Sequence, residues 1–143
     1  MISNPKASEE NDAIKEWAFS LLANGDIVVI PEIADYEVRR ELIRADKTEG
    51  IQSLDLFKQS LEYLPINTEI MLDASRLWAE ARKRGKPATN NLALDGDMIL
   101  VAQARAASRL WADESTNGHT ILVTTNIKHL THFCDARLWR DVD

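Results

Sequence analysis

The stretch LALDGDMILVAQA (residues 92–104) places two carboxylates directly before an almost unbroken apolar run. The run predicts a buried helix that continues to about residue 107. Asp95 and Asp97 stand at the start of this predicted helix, and two explanations compete for them. An acid at a helix N-terminus can cap backbone N–H groups and complement the helix dipole. Carboxylate oxygens are also the ligands that hard divalent cations prefer.

Outward from this segment, helical and strand-like patterns alternate along the chain. Residues 26–30 and 120–124 predict buried strands, because their apolar residues are consecutive and rich in β-branched side chains. Residues 64–66 predict a very short strand or edge. Helical periodicity predicts helices that begin at Ser8, Pro31, Ile51 and Thr68, where Thr68 is the cap. The alternation predicts an α/β fold with a mostly parallel central sheet flanked by helices, in a single domain over residues 1–143.

Composition narrows the class of protein. The chain has 143 residues and a formal net charge of −6, and its fractions of hydrophobic residues (45%) and charged residues (28%) are ordinary for a soluble domain. The acidic balance argues against a lysine-coated duplex binder, since such proteins neutralise phosphates with bulk positive charge. A single cysteine, Cys134, excludes an intrachain disulfide and favours the reducing cytoplasm. The polar start lacks the apolar core of a signal peptide, and no apolar stretch could span a bilayer, so we expect no membrane partner.

Acidic and amide side chains recur near the ends of the predicted strands. Glu37 lies in the helix after the first strand, Asp95 and Asp97 open another helix, and Asn126 directly follows the second strand. Ligands of parallel α/β sheets bind at the carboxyl ends of strands, so we expect Glu37 and Asp97 to approach each other. Each residue alone has a structural explanation, namely a cap, a dipole partner, an ion pair or a turn former. The case for a metal site depends on their combination.

Three segments carry a family resemblance. VVIPEIADYEVRREL, LDGDMILVAQA and ILVTTNIKHLTHF occur in the order and at the spacings of PIN domains, and nearly the whole chain after Pro5 resembles the VapC-like toxins of that family. Glu37 falls on the helix glutamate of the family. Asp97 falls on the aspartate of the pattern D-x-x-[IL]-[AV]-A, and Asn126 falls where T-x-D or T-x-N follows the last strand of the site.

The resemblance implies a three-layer α/β fold and an RNA-cleaving toxin that uses Mg²⁺ or Mn²⁺. The implied catalytic residues are Glu37, Asp97 and Asn126, and the implied metal ligands are Glu37, Asp97 and the weaker candidate Asp95. Basic side chains near the site would contact substrate phosphates; the candidates are Arg40, Arg44 and Lys86. The implied partners are RNA, an antitoxin protein and a second copy of the chain.

One feature departs from the family pattern. PIN domains begin with a hydrophobic strand that ends in an aspartate, the first metal ligand, and no such strand precedes the first predicted helix. Two interpretations follow: a chain that starts late, at an internal methionine, or a degenerate relative. The alternative function is therefore a catalytically inactive PIN-like module that binds RNA or protein.

A missing central strand also predicts that the chain alone is poorly stable, because buried strands would lack hydrogen-bonding neighbours. We expect one of three outcomes: residues 27–30 pair directly with residues 120–124, a partner supplies a strand, or the chain aggregates.

A weaker alternative is a zinc site near the C-terminus. His129 and His132 have ligand-like spacing, and His119 and Cys134 lie nearby in the sequence. No paired CxxC accompanies them. The glycine-rich motifs GxxxxGK[ST] and GxGxxG are absent from the sequence, so it contains no nucleotide-phosphate loop motif.

Overall fold

The computed structural model describes residues 5–84, 91–111, 119–125, 127–128 and 130–143, with the backbone alone for residues 5–8 and 91–93. This part of the chain forms five helices and four short strands. The helices are α1 (Pro5–Ala23), α2 (Glu32–Arg44), α3 (Thr48–Gln59), α4 (Thr68–Lys83) and α5 (Asn91–Trp111). The strands are β1 (Val29–Pro31), β2 (Glu62–Leu64), β3 (Leu122–Val123) and β4 (Ala136–Arg137). The predicted α/β class is confirmed.

The strands form two parallel pairs. Strand β1 pairs with β2, with Val29 opposite Glu62, and β3 pairs with β4, with Leu122 opposite Ala136. Parallel pairing was expected, but among the described residues the two pairs are separate two-stranded sheets. The described strands therefore do not form the expected single central sheet, and the direct pairing of residues 27–30 with 120–124, one of the three alternatives for a missing strand, is not found among them. Strand β1 takes its hydrogen-bonding partner from β2 and β3 takes its partner from β4, and no described strand joins the two pairs. The three-layer arrangement of the PIN family stays a prediction.

Helices α4 and α5 supply most of the core. Ile70, Ala74 and Leu77 of α4 are at most 5% exposed and follow the spacing i, i+4, i+7. The buried side chains of α5 follow the same spacing at Leu94, Met98 and Val101. Each large apolar side chain buried in this way contributes about 1.5–3 kcal/mol. Both strand pairs belong to this core, since Leu64, Leu122 and Ala136 are buried in it.

Helix α1 packs against α3 and the C-terminal segment. The indole N–H of Trp17 donates to the carbonyl of Val142 at 2.8 Å, and its ring lies 6.0 Å from that of Trp139. Phe19 meets Phe57 of α3 edge to face. These contacts join the two ends of the described chain. None of the described helices is long and apolar enough to cross a membrane.

The cap of α4 is Asn67, which corrects the prediction of Thr68. The backbone of Asn67 is extended, and its side-chain oxygen accepts a hydrogen bond from the Ile70 N–H at 2.9 Å. Thr68 is the first helical residue. The amide oxygen of asparagine satisfies one of the N–H groups that the first turn leaves without an intrahelical partner.

We expect Asn67→Ala to lower the free energy of unfolding by about 1 kcal/mol, because the Ile70 N–H loses its cap. The neighbouring change Thr68→Ala is the matched control and should cost a few tenths of a kcal/mol at most. Urea denaturation of the two variants checks this. A larger loss for Thr68→Ala than for Asn67→Ala would restore Thr68 as the cap.

Candidate functional site

Helices α2 and α5 meet at Glu37 and Gly96. The Oε1 atom of Glu37 lies so close to Gly96 that a Cβ atom on residue 96 would collide with it. Gly96 stands between Asp95 and Asp97, so this contact brings Glu37 to the segment that carries the other two predicted acids. A glycine at this point leaves room for the carboxylate. This contact is with Gly96, and the expected approach of Glu37 to Asp97 itself stays a prediction.

The two aspartates do not open α5. The helix begins at Asn91, so Asp95 and Asp97 are its fifth and seventh residues and its first turn contains no acid. The prediction that Asp95 is an N-cap and that Asp97 lies in the first turn is wrong. The reason is that the buried stripe extends upstream to Leu94. Because the dipole effect falls off within the first turn, neither capping nor the dipole explains these carboxylates.

Helix geometry separates Asp95 from Asp97. Successive residues of an α-helix are rotated by about 100°, so these two side chains diverge by about 200° and flank Gly96 on opposite sides. Asp95 is exposed, whereas Asp97 is half-buried. Within the described residues there is no group of three or more His, Cys, Asp or Glu side chains that could hold a metal ion.

The remaining predicted site residues lie in different places in the structure. Asn126 and Lys86 lie outside the described residues. The guanidinium of Arg40 lies over the ring of Tyr36, 5.2 Å from its centroid. Arg44 pairs with Glu41 at 2.8 Å, with both side chains more than half exposed. Arg40 therefore lines the groove described next, while Arg44 lies on the outer surface of α2.

A largely apolar groove of about 620 Å³ runs along α2, and neither Glu37 nor Gly96 is among the residues that line it. Its apolar walls come from α2, the segment before α4, α4 itself and α5, and they are formed by Ile33, Tyr36, Ile43, Ile66, Met71 and Ile99. Ile99 lies one helical turn after Gly96, which places the groove next to the acids. A concave apolar site with a few polar groups at its edge is typical of ligand sites.

A charged network on the inner side of α2 is not evident in the sequence. Asp35, only 8% exposed, accepts two hydrogen bonds from Arg39, and Lys58 of α3 lies 3.4 Å away. Arg39 also pairs with Asp55 at 2.6 Å. The hydrogen bonds from Arg39 hold the pKa of Asp35 below its usual value, although burial acts in the opposite direction. Arg39 thus ties α2 to α3.

Glu32 anchors the start of α2 to β2. Its carboxylate accepts hydrogen bonds from the Tyr63 hydroxyl at 3.0 Å and from the Ile66 N–H at 2.8 Å. Burial, with a smaller effect from Glu32, raises the pKa of Tyr63 to about 12. These partners make Glu32 a structural acid. Of Glu32, Asp35 and Glu37, Glu37 is the acid that reaches α5.

The C-terminal histidines do not form the alternative zinc site in the described residues. His119 lies 2.7 Å from Asp135, whose carboxylate also accepts two hydrogen bonds from Arg137. Burial raises the pKa of the Cys134 thiol, and this sulfur lies 3.6 Å from the carbonyl oxygen of Leu130. His129 lies outside the described residues. The described part of this segment is an ion-pair cluster.

No protein-family model, curated protein or solved structure matches this chain. Its function is therefore inferred from the residues and contacts of the α2–α5 region.

We expect Gly96→Ala to leave the free energy of unfolding unchanged or to raise it by up to about 1 kcal/mol, because alanine favours a helix interior. The new methyl group must displace the Glu37 carboxylate, which is the end of an exposed, flexible side chain. Urea denaturation and the NMR signal of the Glu37 carboxyl carbon measure the two effects.

Gly50→Ala is the matched control, since its methyl group would meet the side chain of Leu42 and not a carboxylate. It should leave the Glu37 signal unchanged. If Gly96→Ala also left the NMR signal of the Glu37 carboxyl carbon unchanged, the contact between Glu37 and Gly96 would be contradicted.

We expect Asp35→Asn to lower the free energy of unfolding by about 1–3 kcal/mol at neutral pH, because Lys58 and Arg39 lose a buried charged partner. The folded-state pKa of Asp35 is depressed, so its contribution is complete above its usual value of 3.8 and is lost as the pH falls through the folded value. Urea titrations at pH 7 and at about pH 3 should show the difference between wild type and variant shrinking.

Asp55→Asn supplies the control for this network. The Asp55 side chain is 52% exposed, and solvent screening limits its loss to about 1 kcal/mol or less. A wild-type advantage over Asp35→Asn that stays constant with pH would contradict the assignment.

Proposed function

We propose that this chain is a PIN-like, metal-dependent endoribonuclease of the toxin type, in which Glu37 and Asp97 hold Mg²⁺ or Mn²⁺ together with waters. The observation that supports this is the contact between the Glu37 carboxylate of α2 and Gly96 of α5. Gly96 directly precedes Asp97 in the sequence. Neither capping nor the helix dipole explains Asp97 in the second turn of α5.

The residues fit such an ion. Mg²⁺ is usually bound by one or two carboxylates and keeps several waters. Gly96 leaves the space that any other side chain would fill. A bound cation would lower the pKa of a water ligand and offset the negative charge of a phosphodiester. It would also reduce the repulsion between the two carboxylates and between this acidic chain and RNA.

The neighbouring groove offers contacts for an RNA strand. Tyr36 is 55% exposed and presents a face on which a base can stack. Arg40 lies over the same ring and can contact a phosphate. In this proposal, the side chains of α2 position the strand while Glu37 and Asp97 hold the ion.

The second candidate is a PIN-like module without catalysis that binds RNA or a protein such as an antitoxin or a second copy of the chain. One observation favours it: the described residues contain no cluster of three metal-binding side chains. The exposed apolar residues at the groove, Tyr36, Ile43 and Met71, are also suited to a protein partner.

We expect Glu37→Gln and Asp97→Asn each to weaken Mn²⁺ binding by about tenfold or more and to slow Mn²⁺-dependent RNA cleavage by about 100-fold or more, because each removes a charged ligand. Glu41→Gln is the matched control, one turn further along the same helix and exposed. Electron paramagnetic resonance of free Mn²⁺ and a fluorescent RNA substrate, with and without EDTA, measure the two effects.

Asp95→Asn tests whether Asp95 is a third metal ligand beside Glu37 and Asp97. We expect it to behave like Glu41→Gln, because the proposed site uses Glu37 and Asp97 alone. Wild-type protein that neither binds Mn²⁺ nor cleaves RNA would overturn the nuclease proposal. If that protein still binds RNA, the second candidate stands. If fusion of a PIN-type strand ending in aspartate ahead of α1 then confers cleavage, a further aspartate is the ligand that the metal site requires.

A further inference from the structure

Gln103 is a fully buried polar side chain on α5, and both ends of its amide are used. Its Oε1 accepts a hydrogen bond from the Ile33 N–H at 3.0 Å, and its Nε2 donates to the Leu64 carbonyl at 2.8 Å. The two partners belong to α2 and β2. The amide therefore joins three elements at one point.

This point is where the β1–β2 ladder ends. The Glu62 N–H donates to the Val28 carbonyl, so Glu62 and, two residues later, Leu64 direct their backbone groups toward β1. Opposite Leu64, however, β1 ends at Pro31 and the chain turns into α2. The Gln103 Nε2 group supplies the donor that a further strand residue would have supplied.

The same amide serves the start of α2. The first N–H groups of a helix have no intrahelical partner, and no side chain of the N-cap residue Pro31 satisfies them. Gln103 accepts from one of them, the Ile33 N–H. An apolar residue at position 103 would leave both Ile33 and Leu64 with unsatisfied buried groups.

Gln103 and Gly96 are two helical turns apart and share one face of α5. Ile33 and Glu37 are one turn apart and share one face of α2. The two helices therefore touch through matched pairs, Ile33 with Gln103 and Glu37 with Gly96. Because the contact between Ile33 and Gln103 is a directional hydrogen bond, it fixes the position of α2 along α5 and therefore the point at which Glu37 meets α5.

We propose that Gln103 is the positioning residue of the acid site: its buried amide holds α2 in the register that seats the Glu37 carboxylate on Gly96, beside Asp97. Its hydrogen bond is to the Ile33 N–H, so Gln103 acts through the backbone of α2. The expected effect of Gln103 on Mn²⁺ binding rests on the proposed function, whereas its expected effect on the Glu37–Gly96 contact does not depend on any metal.

Gln103→Met, which keeps the volume and removes both hydrogen bonds, tests the inference in two ways. In metal-free protein, Glu37→Gln should shift the amide NMR signal of Gly96 in the wild-type background and should not do so in the Gln103→Met background. Gln103→Met should also weaken Mn²⁺ binding by about tenfold, the usual effect of removing an outer support of a metal site.

Ile70→Val is the control for a general loss of stability, since Ile70 is a buried core residue of α4. It should lower the melting temperature. It should leave the Mn²⁺ dissociation constant unchanged, and it should also leave unchanged the shift of the Gly96 amide signal that Glu37→Gln causes, which we call the Gly96 response. If Gln103→Met does not fold, Gln103→Asn is judged by the same two criteria, because its shorter stem cannot reach Ile33 and Leu64 together.

The outcomes separate the two proposals. A Gly96 response that survives in the folded Gln103 variant overturns the positioning role. A wild-type protein that does not bind Mn²⁺ overturns the metal site alone, and loss of the Gly96 response then still supports the role of Gln103. An effect on Mn²⁺ binding as large in Ile70→Val as in Gln103→Met would show general destabilisation and overturn the inference.

Discussion

The buried amide of Gln103 is the interaction on which the arrangement of β1, β2, α2 and α5 depends. A strand that ends in proline and a helix without a side-chain cap leave backbone groups that water cannot reach, and these groups must find partners. An amide is suited to the task because it carries a donor and an acceptor at a fixed separation. By satisfying the Leu64 carbonyl and the Ile33 N–H together, it joins the end of a sheet to the start of a helix.

The acids of α2 show how contacts decide the role of a side chain. Glu32 accepts hydrogen bonds from the segment around β2, and Asp35 is held by Arg39 and Lys58. These two carboxylates are committed to holding α2 in place. Glu37, one turn after Ile33, is directed toward α5 and meets a glycine. The same residue type on one helix thus serves structure at two positions and is available for chemistry at the third.

The position of Asp97 within α5 bears on function because it removes the simplest alternative. An acid in the first turn would be explained by the helix dipole, and a cap would be explained by the backbone N–H groups. In the second turn neither explanation applies. The proposed site is modest, since it uses two acids and the described residues contain no group of three or more His, Cys, Asp or Glu side chains that could hold a metal ion. This is the physical basis for considering both a weak metal site and a module that only binds.

Local pattern in the sequence was sufficient for the helices and for the α/β class. The prediction of a helix from Thr68 to about residue 84 agrees with α4, and the strand at residues 26–30 overlaps β1, because periodicity and turn residues act within a few positions. The pairing of the strands, the start of α5 and the role of Gln103 were decided by tertiary structure. Gln103 is 70 residues from Ile33 and 39 from Leu64, so no local pattern could reveal that its amide has partners. The sequence could identify Glu37 and Asp97 as candidates; only the packing of α2 against α5 brings Glu37 to the glycine beside Asp97, because contact between distant residues depends on the whole fold.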